Sequence, residues 1–95
     1  KFLFAYRVSK SYRPGSADTR AAWAAWFEQL GAHVVDIGKP VFERTALGNS
    51  PADTVLGGYS LITADDLDAA VALASGCPGL QDGGAVEVGE LGALN

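Results

Sequence analysis

Apolar residues along the chain follow two different periods, one typical of strands and one typical of helices. Short apolar segments bounded by polar, glycine or proline residues predict four strands, at residues 2–8, 33–38, 54–63 and 85–91. Large apolar residues recur at i, i+3, i+4 and i+7 between residues 17 and 30, the spacing of one helical stripe. We assign the members of this stripe to the core: Trp23, Trp26, Phe27 and Leu30. A second stripe, of smaller apolar residues, predicts another helix after residue 63.

Residues that favour helix ends support both helices. Ser16 can cap the first helix, and Gly31 supplies the left-handed residue that ends it. Thr63 is placed to cap the second helix, with two aspartates following in the first turn, where negative charge is favoured. Gly76 ends that helix, and Pro78 prevents it from resuming. The elements therefore follow the order βαββαβ.

The order βαββαβ predicts an α+β fold of the ferredoxin-like type. Right-handed crossovers place both helices on one face of a four-stranded antiparallel sheet. A length of 95 residues corresponds to about one domain, so we expect residues 1–95 to form one ferredoxin-like domain. The connection between the second and third strands is long, and extra length of this kind is more often functional or mobile than idle.

The face of the sheet opposite the helices, the open face, carries apolar side chains. Alternation along the strands assigns Leu3, Ala5 and Val34 to it. An apolar face of this kind usually marks an interaction surface, so we expect a second copy of the chain to cover it in a barrel-like homodimer. The alternative is a monomer that tolerates an open aliphatic face.

Composition and charge exclude several classes of protein. Lysine and arginine total 7 against 11 acidic residues, a net charge of −4, so the basic surface that nucleic-acid binding requires is absent. No apolar run is long enough to span a membrane, and the first residues do not have the order of a secretory signal. The single cysteine, Cys77, cannot form an internal disulfide, which favours a reducing cytoplasm. We expect Cys77 to be buried and unreactive.

Three charged residues are predicted to share the open face of the sheet: Arg7, Asp36 and Glu87. Charges buried there without partners would be costly, so they should pair with each other or with a ligand. One interpretation is a polar pocket in which Arg7 binds an anionic or carbonyl group and Asp36 or Glu87 accepts a proton. The other interpretation is an ion-paired dimer contact.

A second candidate lies in the long connection between the second and third strands. The sequence VFER brings Phe42, Glu43 and Arg44 together beside a Gly-Asn-Ser-Pro turn. An aromatic ring and a guanidinium at this place are enough to cover a pocket or to reach the other subunit. The alternative is a solvated turn in which Glu43 contacts Arg44.

Metal and cofactor sites have little support in this sequence. His33, the single histidine, and Asp36 are three residues apart on a predicted strand, so their side chains point to opposite faces. His33 and Cys77 are far apart in the chain, and neither belongs to a metal-binding motif. We therefore expect no metal and no organic cofactor, and we interpret His33 as a partly exposed residue at a helix-to-strand junction.

Two segments, GGYSLITADDLDAAVALASGCP at residues 57–78 and GGAVEV at residues 83–88, resemble the YCII-related family of small bacterial proteins. The resemblance covers nearly the whole chain. It implies a dimeric α/β-barrel fold with a cleft between sheet and helices or at the dimer interface. In those members that use a histidine and an aspartate, the histidine lies on the first helix. The predicted first helix contains no histidine here, so that pair does not carry over.

Two functions are compatible with these observations. The first is a small dimeric binding or accessory protein for a small molecule, since the chain has no nucleophile–base motif. The alternative is a cofactor-independent enzyme, a lyase or isomerase acting on a small carbonyl or cyclic metabolite, with an inward carboxylate as general base. An apolar cavity of about 300 Å³ or more that holds Asp36 or Glu87 near Arg7 would favour the enzyme.

Overall fold

The computed structural model describes residues 1–11 and 17–93, so the predicted helix cap at Ser16 lies outside the described residues. The strands are β1 (Phe2–Ser9), β2 (Val34–Asp36), β3 (Thr54–Ile62) and β4 (Ala85–Glu90). The α-helices are α1 (Ala17–Leu30) and α2 (Leu67–Ala74), and short 3-10 turns occupy Gly31–His33 and Pro78–Asp82. The order of the elements is the predicted one. No helix in the described part of the chain is long and apolar enough to cross a membrane.

The four strands form one antiparallel sheet in the order β2-β3-β1-β4. β1 lies between β3 and β4, and its residue Phe4 is directly opposite Ser60 on one side and Val88 on the other. β3 is thus inserted between β1 and β2, the two strands that α1 connects, which is the split βαβ arrangement. The predicted α+β, ferredoxin-like fold is confirmed.

Both helices pack on the same face of this sheet. The buried cluster consists of Phe2, Phe4, Tyr6, Trp26, Leu30, Ile62, Ala70, Ala74 and Cys77. Within it the Phe4 and Trp26 rings stack with centroids 6.2 Å apart. At its margin the Tyr6 ring meets the Trp23 ring edge-on at 5.0 Å, a favoured geometry for aromatic pairs. Trp26 and Leu30 are buried as predicted, whereas Trp23 and Phe27 are only partly buried and pack against the cluster.

Val34 lies on the helix side of the sheet, so its prediction for the open face is wrong. Its side chain packs against the buried cluster. The pairing of β2 with β3 shifts between Val34, opposite Ile62, and Asp36, opposite Leu61. Because paired residues share a face, this irregularity lets Val34 face the core while Asp36 faces the open side, which strict alternation does not allow. β2 also starts later than predicted, since His33 belongs to the preceding 3-10 turn.

The second helix also begins later than predicted. Asp66, and not Thr63, is its N-cap: the Asp66 carboxylate accepts a hydrogen bond from the Ala69 amide at 2.8 Å. The Thr63 amide instead donates to the His33 carbonyl at 2.8 Å, beyond the end of β3. Backbone pairing thus continues past the end of β3 to Thr63, and α2 begins only after it.

β1 and β3 change register at Gly57 and Gly58 of β3, and glycine inside a strand often marks a bulge. Tyr6 is opposite Gly58 and Arg7 is opposite Leu56, so Gly57 has no partner on β1. The bulge turns Leu56 to the open side together with Arg7, because residues paired across two strands share a face.

Candidate functional site

A cavity of about 600 Å³ lies on the helix side of the sheet, between α1 and residues 37–44, which follow β2 and are called the outer wall below. Tyr6 and Val8 of β1 line it, and so do Trp23 and Phe27 of α1. Trp23 and Phe27 are four residues apart and therefore lie on one face of the helix. One side of the predicted core stripe thus forms a wall of the cavity.

Backbone hydrogen bonds fasten the outer wall to β3. The Val41 amide donates to the Gly57 carbonyl at 3.0 Å, and the Tyr59 amide donates to the Lys39 carbonyl at 3.3 Å. The two segments come so close at Gly38 that a Cβ atom there would lie 1.7 Å from the Tyr59 carbonyl oxygen. Gly38 also has a φ of +79°, which favours glycine. The outer wall therefore requires glycine at this position.

Two hydroxyl groups connect the sheet to the outer wall from inside. The Tyr6 hydroxyl donates to Ser60 Oγ at 2.8 Å, and Ser60 Oγ donates to the Ile37 carbonyl at 2.7 Å. Ser60 is completely buried. Burial raises the pKa of Tyr6 well above its ordinary value, although the hydrogen bond to Ser60 lowers it in part. The Tyr6 phenol therefore remains protonated and keeps its role as a donor.

The charged residues around the cavity are all basic. Arg20, Lys39 and Arg44 line it. None of the 11 aspartates and glutamates, all of which lie in the described part of the chain, is among the lining residues. The Arg44 guanidinium donates to the Val41 carbonyl at 2.8 Å, which holds it against the outer wall. The cavity therefore combines apolar walls with positive charge.

Two of the five predicted site residues, Phe42 and Arg44, line this cavity. Both belong to the outer wall, within the long connection that the sequence indicates as functional. Phe42 is 78% exposed, so most of its ring stands open to solvent at the edge of the cavity. Glu43, which lies between them in the chain, is not among the lining residues.

The other three, Arg7, Asp36 and Glu87, do not line the cavity. Arg7 donates twice to Thr54, from Nε to the Thr54 hydroxyl and from Nη2 to the Thr54 carbonyl, both at 2.8 Å. Asp36 accepts a hydrogen bond from the Gly38 amide at 2.8 Å. Glu87 borders a second, more open hollow of about 430 Å³ between α2 and β4. Each of the three thus has a different local environment.

The strand register places these three residues on the open face but spreads them across it. Glu87 is opposite Ala5, which makes it a diagonal neighbour of Arg7 on the adjacent strand. Asp36 is opposite Leu61 on β3, so it lies two strands away from Arg7 and towards the other end of the sheet. Two strand spacings alone amount to about 10 Å, which is too far for a direct ion pair. Within one chain, Arg7 therefore cannot pair with Asp36.

The sequence does not distinguish most of the aromatic residues that line the cavity from aromatic residues of the core. The helical stripe predicts Trp23 and Phe27 as core, and the glycine pair before Tyr59 leaves its face undetermined. One structural feature distinguishes the cavity side of the stripe: the buried Nε1–H of Trp23 has no hydrogen-bond partner among the described residues. The combination that could have indicated the cavity is a wide aromatic stripe together with an unusually long connection after β2.

The single histidine and the single cysteine both have structural roles. His33 is exposed, and its Nδ1–H donates to the Thr63 carbonyl at 2.8 Å, so it joins the end of α1 to the end of β3 as a junction residue. Cys77 is buried, and burial raises the pKa of its thiol. Within residues 1–11 and 17–93, no group of three or more histidine, cysteine, aspartate or glutamate side chains is placed to hold a metal ion.

The fold and the cavity together define a ferredoxin-like α+β protein with a cavity between the sheet and the first helix. The chain belongs to the YCII-related domain family, whose sequence model matches residues 2–91. This match confirms the resemblance seen in the sequence.

The same fold occurs in a solved structure of 5-chloro-2-hydroxyhydroquinone dehydrochlorinase from Burkholderia phenoliruptrix, in complex with 2,5-dihydroxybenzoquinone. The TM-score is 0.61, the two sequences are 24% identical, and the match covers 97% of this chain and 94% of that chain. At this identity the similarity supports the fold and nothing finer. No curated protein matches the chain.

Proposed function

We propose that the protein binds a small molecule in the cavity between α1 and the outer wall, as a binding or accessory protein. The observation that carries this proposal is the cavity itself. Its volume of about 600 Å³ falls within the range of roughly 300–1,000 Å³ that ligand pockets occupy. Its walls are mainly aromatic and aliphatic with a few polar groups, which is the composition typical of such pockets.

The ligand-bound dehydrochlorinase supports the proposal. That enzyme shares the fold and was solved with a small ring compound, 2,5-dihydroxybenzoquinone. A domain of this fold can therefore accommodate a small molecule. The support concerns the size of the ligand and does not extend to the reaction of that enzyme.

Binding is favoured over the alternative, an enzyme with an inward carboxylate as general base. A general base must lie within hydrogen-bond distance of the proton that it removes. None of the 11 carboxylates lines the cavity. Tyr6 does not replace them, because its raised pKa keeps the phenol protonated.

Filling the cavity tests the proposal. In Val41→Trp a large ring is introduced at a half-buried position that lines the cavity. Leu47→Trp is the matched control, since Leu47 follows in the same connection, is 92% exposed and does not line the cavity. Small molecules that copurify with the wild type and with each variant are identified by mass spectrometry. A library of ring compounds screened by thermal shift gives the same comparison where nothing copurifies.

The expected result is that Val41→Trp loses the compounds that the wild type and Leu47→Trp retain. Circular dichroism establishes that Val41→Trp is folded. Equal retention by a folded Val41→Trp variant would show that the ligand is bound elsewhere and would overturn the proposal.

We further propose that two copies of the chain pair through the open faces of their sheets. Leu3, Ala5 and Leu61 lie on this face, and each is partly exposed in the single chain. Leu56 adds a side chain that is 39% exposed. A second copy would cover this apolar surface, and the three charged residues of the same face would then lie at or near the interface.

We also propose that the protein works in a bacterial cytoplasm. The single cysteine, Cys77, is free and buried, and a reducing compartment suits a chain that uses no disulfide. The bacterial origin is supported by the character of the family that the sequence resembles.

A further inference from the structure

We infer that the ligand of the cavity is an oxyanion carried on a flat, apolar ring, and that Arg44 is the residue that selects for its charge. The inference rests on the proposed function, because it concerns what the same cavity binds.

The distribution of charge is the first support. Among the described residues, three lysines and arginines line the cavity, whereas none of the 11 acidic residues, all of which are described, does. The chain as a whole carries a net charge of −4, so the cavity has the opposite sign to its surroundings. Positive charges that gather around an apolar space without a carboxylate among them raise the local concentration of anions and favour their binding.

The placement of Arg44 is the second support. Arg44 lines the cavity, and its Nη1 donates to the carbonyl of Val41, itself a lining residue, at 2.8 Å, so the charged end of the side chain lies against the outer wall. A guanidinium has five N–H donors, and this bond occupies one of them. The planar fork can bind a carboxylate or a similar oxyanion through two parallel hydrogen bonds. Arg44 is therefore positioned to recognise both the charge and the orientation of a bound anion.

The aromatic lining is the third support, and it concerns the shape of the ligand. Five aromatic residues of the described part of the chain line the cavity, namely Tyr6, Trp23, Phe27, Phe42 and Tyr59. The Trp23 and Phe27 rings lie next to each other on α1, tilted by 36° with centroids 6.0 Å apart. Ring surfaces arranged in this way favour a planar ligand that can stack on them or meet them edge-on. A linear or bulky aliphatic anion would use less of this surface.

A matched pair of probes tests the inference. Naphthoate carries a carboxylate on a flat ring, and naphthamide presents the same ring and a similar outline without the charge. Hexanoate carries the same charge without the ring. Binding of each probe to the full chain is measured by isothermal titration calorimetry, with quenching of tryptophan fluorescence as a second readout because Trp23 lines the cavity.

Naphthoate is expected to bind about tenfold more tightly than either naphthamide or hexanoate, the difference that one charge-assisted contact or one stacked ring provides. Arg44→Gln should weaken naphthoate binding about tenfold and leave naphthamide within about twofold of its wild-type affinity. Arg44→Lys, which keeps the charge but not the fork, should lie between the two. Lys1→Gln is the matched control, since it removes one exposed positive charge that does not line the cavity, and it should change neither affinity.

The outcomes separate this inference from the proposed function. Naphthamide binding as tightly as naphthoate, with Val41→Trp abolishing both, would overturn the oxyanion assignment and leave the cavity as the binding site. Naphthoate binding that Val41→Trp does not affect would overturn both. Binding that falls equally in Arg44→Gln and Lys1→Gln would show a general charge effect and would remove Arg44 from its role in selection. No binding of any of the three probes would overturn the oxyanion assignment, and the copurified compounds would then decide the proposed function alone.

Discussion

The Tyr6 hydroxyl donates a hydrogen bond to Ser60 Oγ at 2.8 Å in the interior of the protein. The Ser60 hydroxyl in turn donates a hydrogen bond to the Ile37 carbonyl at 2.7 Å. The two bonds join β1, β3 and the outer wall at one buried point beside the cavity. Since a buried polar group without a partner is costly, the outer wall is held in place by the core as well as by its backbone bonds to β3.

Ser60→Ala should lower the free energy of unfolding by about 1–3 kcal/mol, because it leaves the Tyr6 hydroxyl and the Ile37 carbonyl without a partner. Urea denaturation followed by circular dichroism measures the change. Ser75→Ala is the control: the Ser75 hydroxyl donates to the Ala72 carbonyl at an exposed position and should cost less than about 0.5 kcal/mol.

The double variant gives a sharper readout of the same contact. Tyr6→Phe removes one member of the pair, so Tyr6→Phe combined with Ser60→Ala should cost less than the sum of the two single changes. Strict additivity of the two costs would show that the two hydroxyl groups are not coupled.

The stability of the protein should fall as the pH rises above about 10. Burial holds the pKa of Tyr6 in the folded chain above its ordinary value of 10.0, which applies to the unfolded chain. At a pH between the unfolded-state pKa and the folded-state pKa, the folded chain keeps a proton that the unfolded chain releases. The stabilisation is therefore complete below pH 10 and decreases as the pH rises, by at most about 1.4 kcal/mol per pH unit. Urea denaturation at pH 8, 9, 10 and 11 measures the slope.

Cys77 adds a slope of the same sign from its own ordinary pKa of 9.0, because burial raises the pKa of this thiol as well. The measurement is therefore made in a Cys77→Ala background, with and without Tyr6→Phe. Tyr6→Phe should flatten the decline above pH 10. An equal decline in both proteins would assign the alkaline instability to other groups.

Gly38→Ala should destabilise the protein more than Gly48→Ala does. Both glycines have positive φ values, 79° and 74°, so alanine at either position costs about 1–2 kcal/mol of backbone strain. A Cβ atom at Gly48 would meet nothing within 4 Å, whereas one at Gly38 would overlap the Tyr59 carbonyl. Gly38→Ala should therefore cost about 3 kcal/mol or more in urea denaturation. Equal costs would mean that the outer wall can move away from β3 without penalty.

Leu3→Glu should separate the proposed homodimer. The wild type should sediment in analytical ultracentrifugation with the mass of two chains, and Leu3→Glu with the mass of one, because a carboxylate would be buried at the centre of an apolar interface. Leu47→Glu is the control, since Leu47 is 92% exposed and lies outside the open face. A wild type that sediments as one chain at micromolar concentrations would overturn the pairing of the sheets.

Local signals in the sequence predict much of the fold correctly because they depend on neighbouring residues alone. Gly31, with a φ of 54°, ends α1 at the expected residue, and the stripe that contains Trp26 faces the sheet. The predictions at Val34 and Thr63 fail for one shared reason: each position depends on backbone pairing between distant segments, β2 with β3 for Val34 and the turn before β2 with the residue after β3 for Thr63. Such pairing joins residues that are distant in the chain, and no local period reports it.

The residues of the candidate site also divide into those that local sequence indicates and those that depend on the pairing of distant segments. The length of the connection after β2 and the VFER segment within it are visible in the sequence, and they make Phe42 and Arg44 candidates; both line the cavity. Tyr59 is not such a candidate, because its contribution depends on how the outer wall lies against β3. Arg7 and Asp36 are assigned to the correct face by alternation, yet the order of the strands places them two strands apart.

Periodicity, composition and short segments of chain are enough to predict the order of the elements, the ferredoxin-like class, the family and the net negative charge. The position of the cavity, and the finding that the charged residues lining it in the described part of the chain are all basic, depend on how the chain folds. The cavity forms between elements from separate parts of the chain, which no local pattern reports, and glycine at position 38 allows two of them, the outer wall and β3, to come into contact.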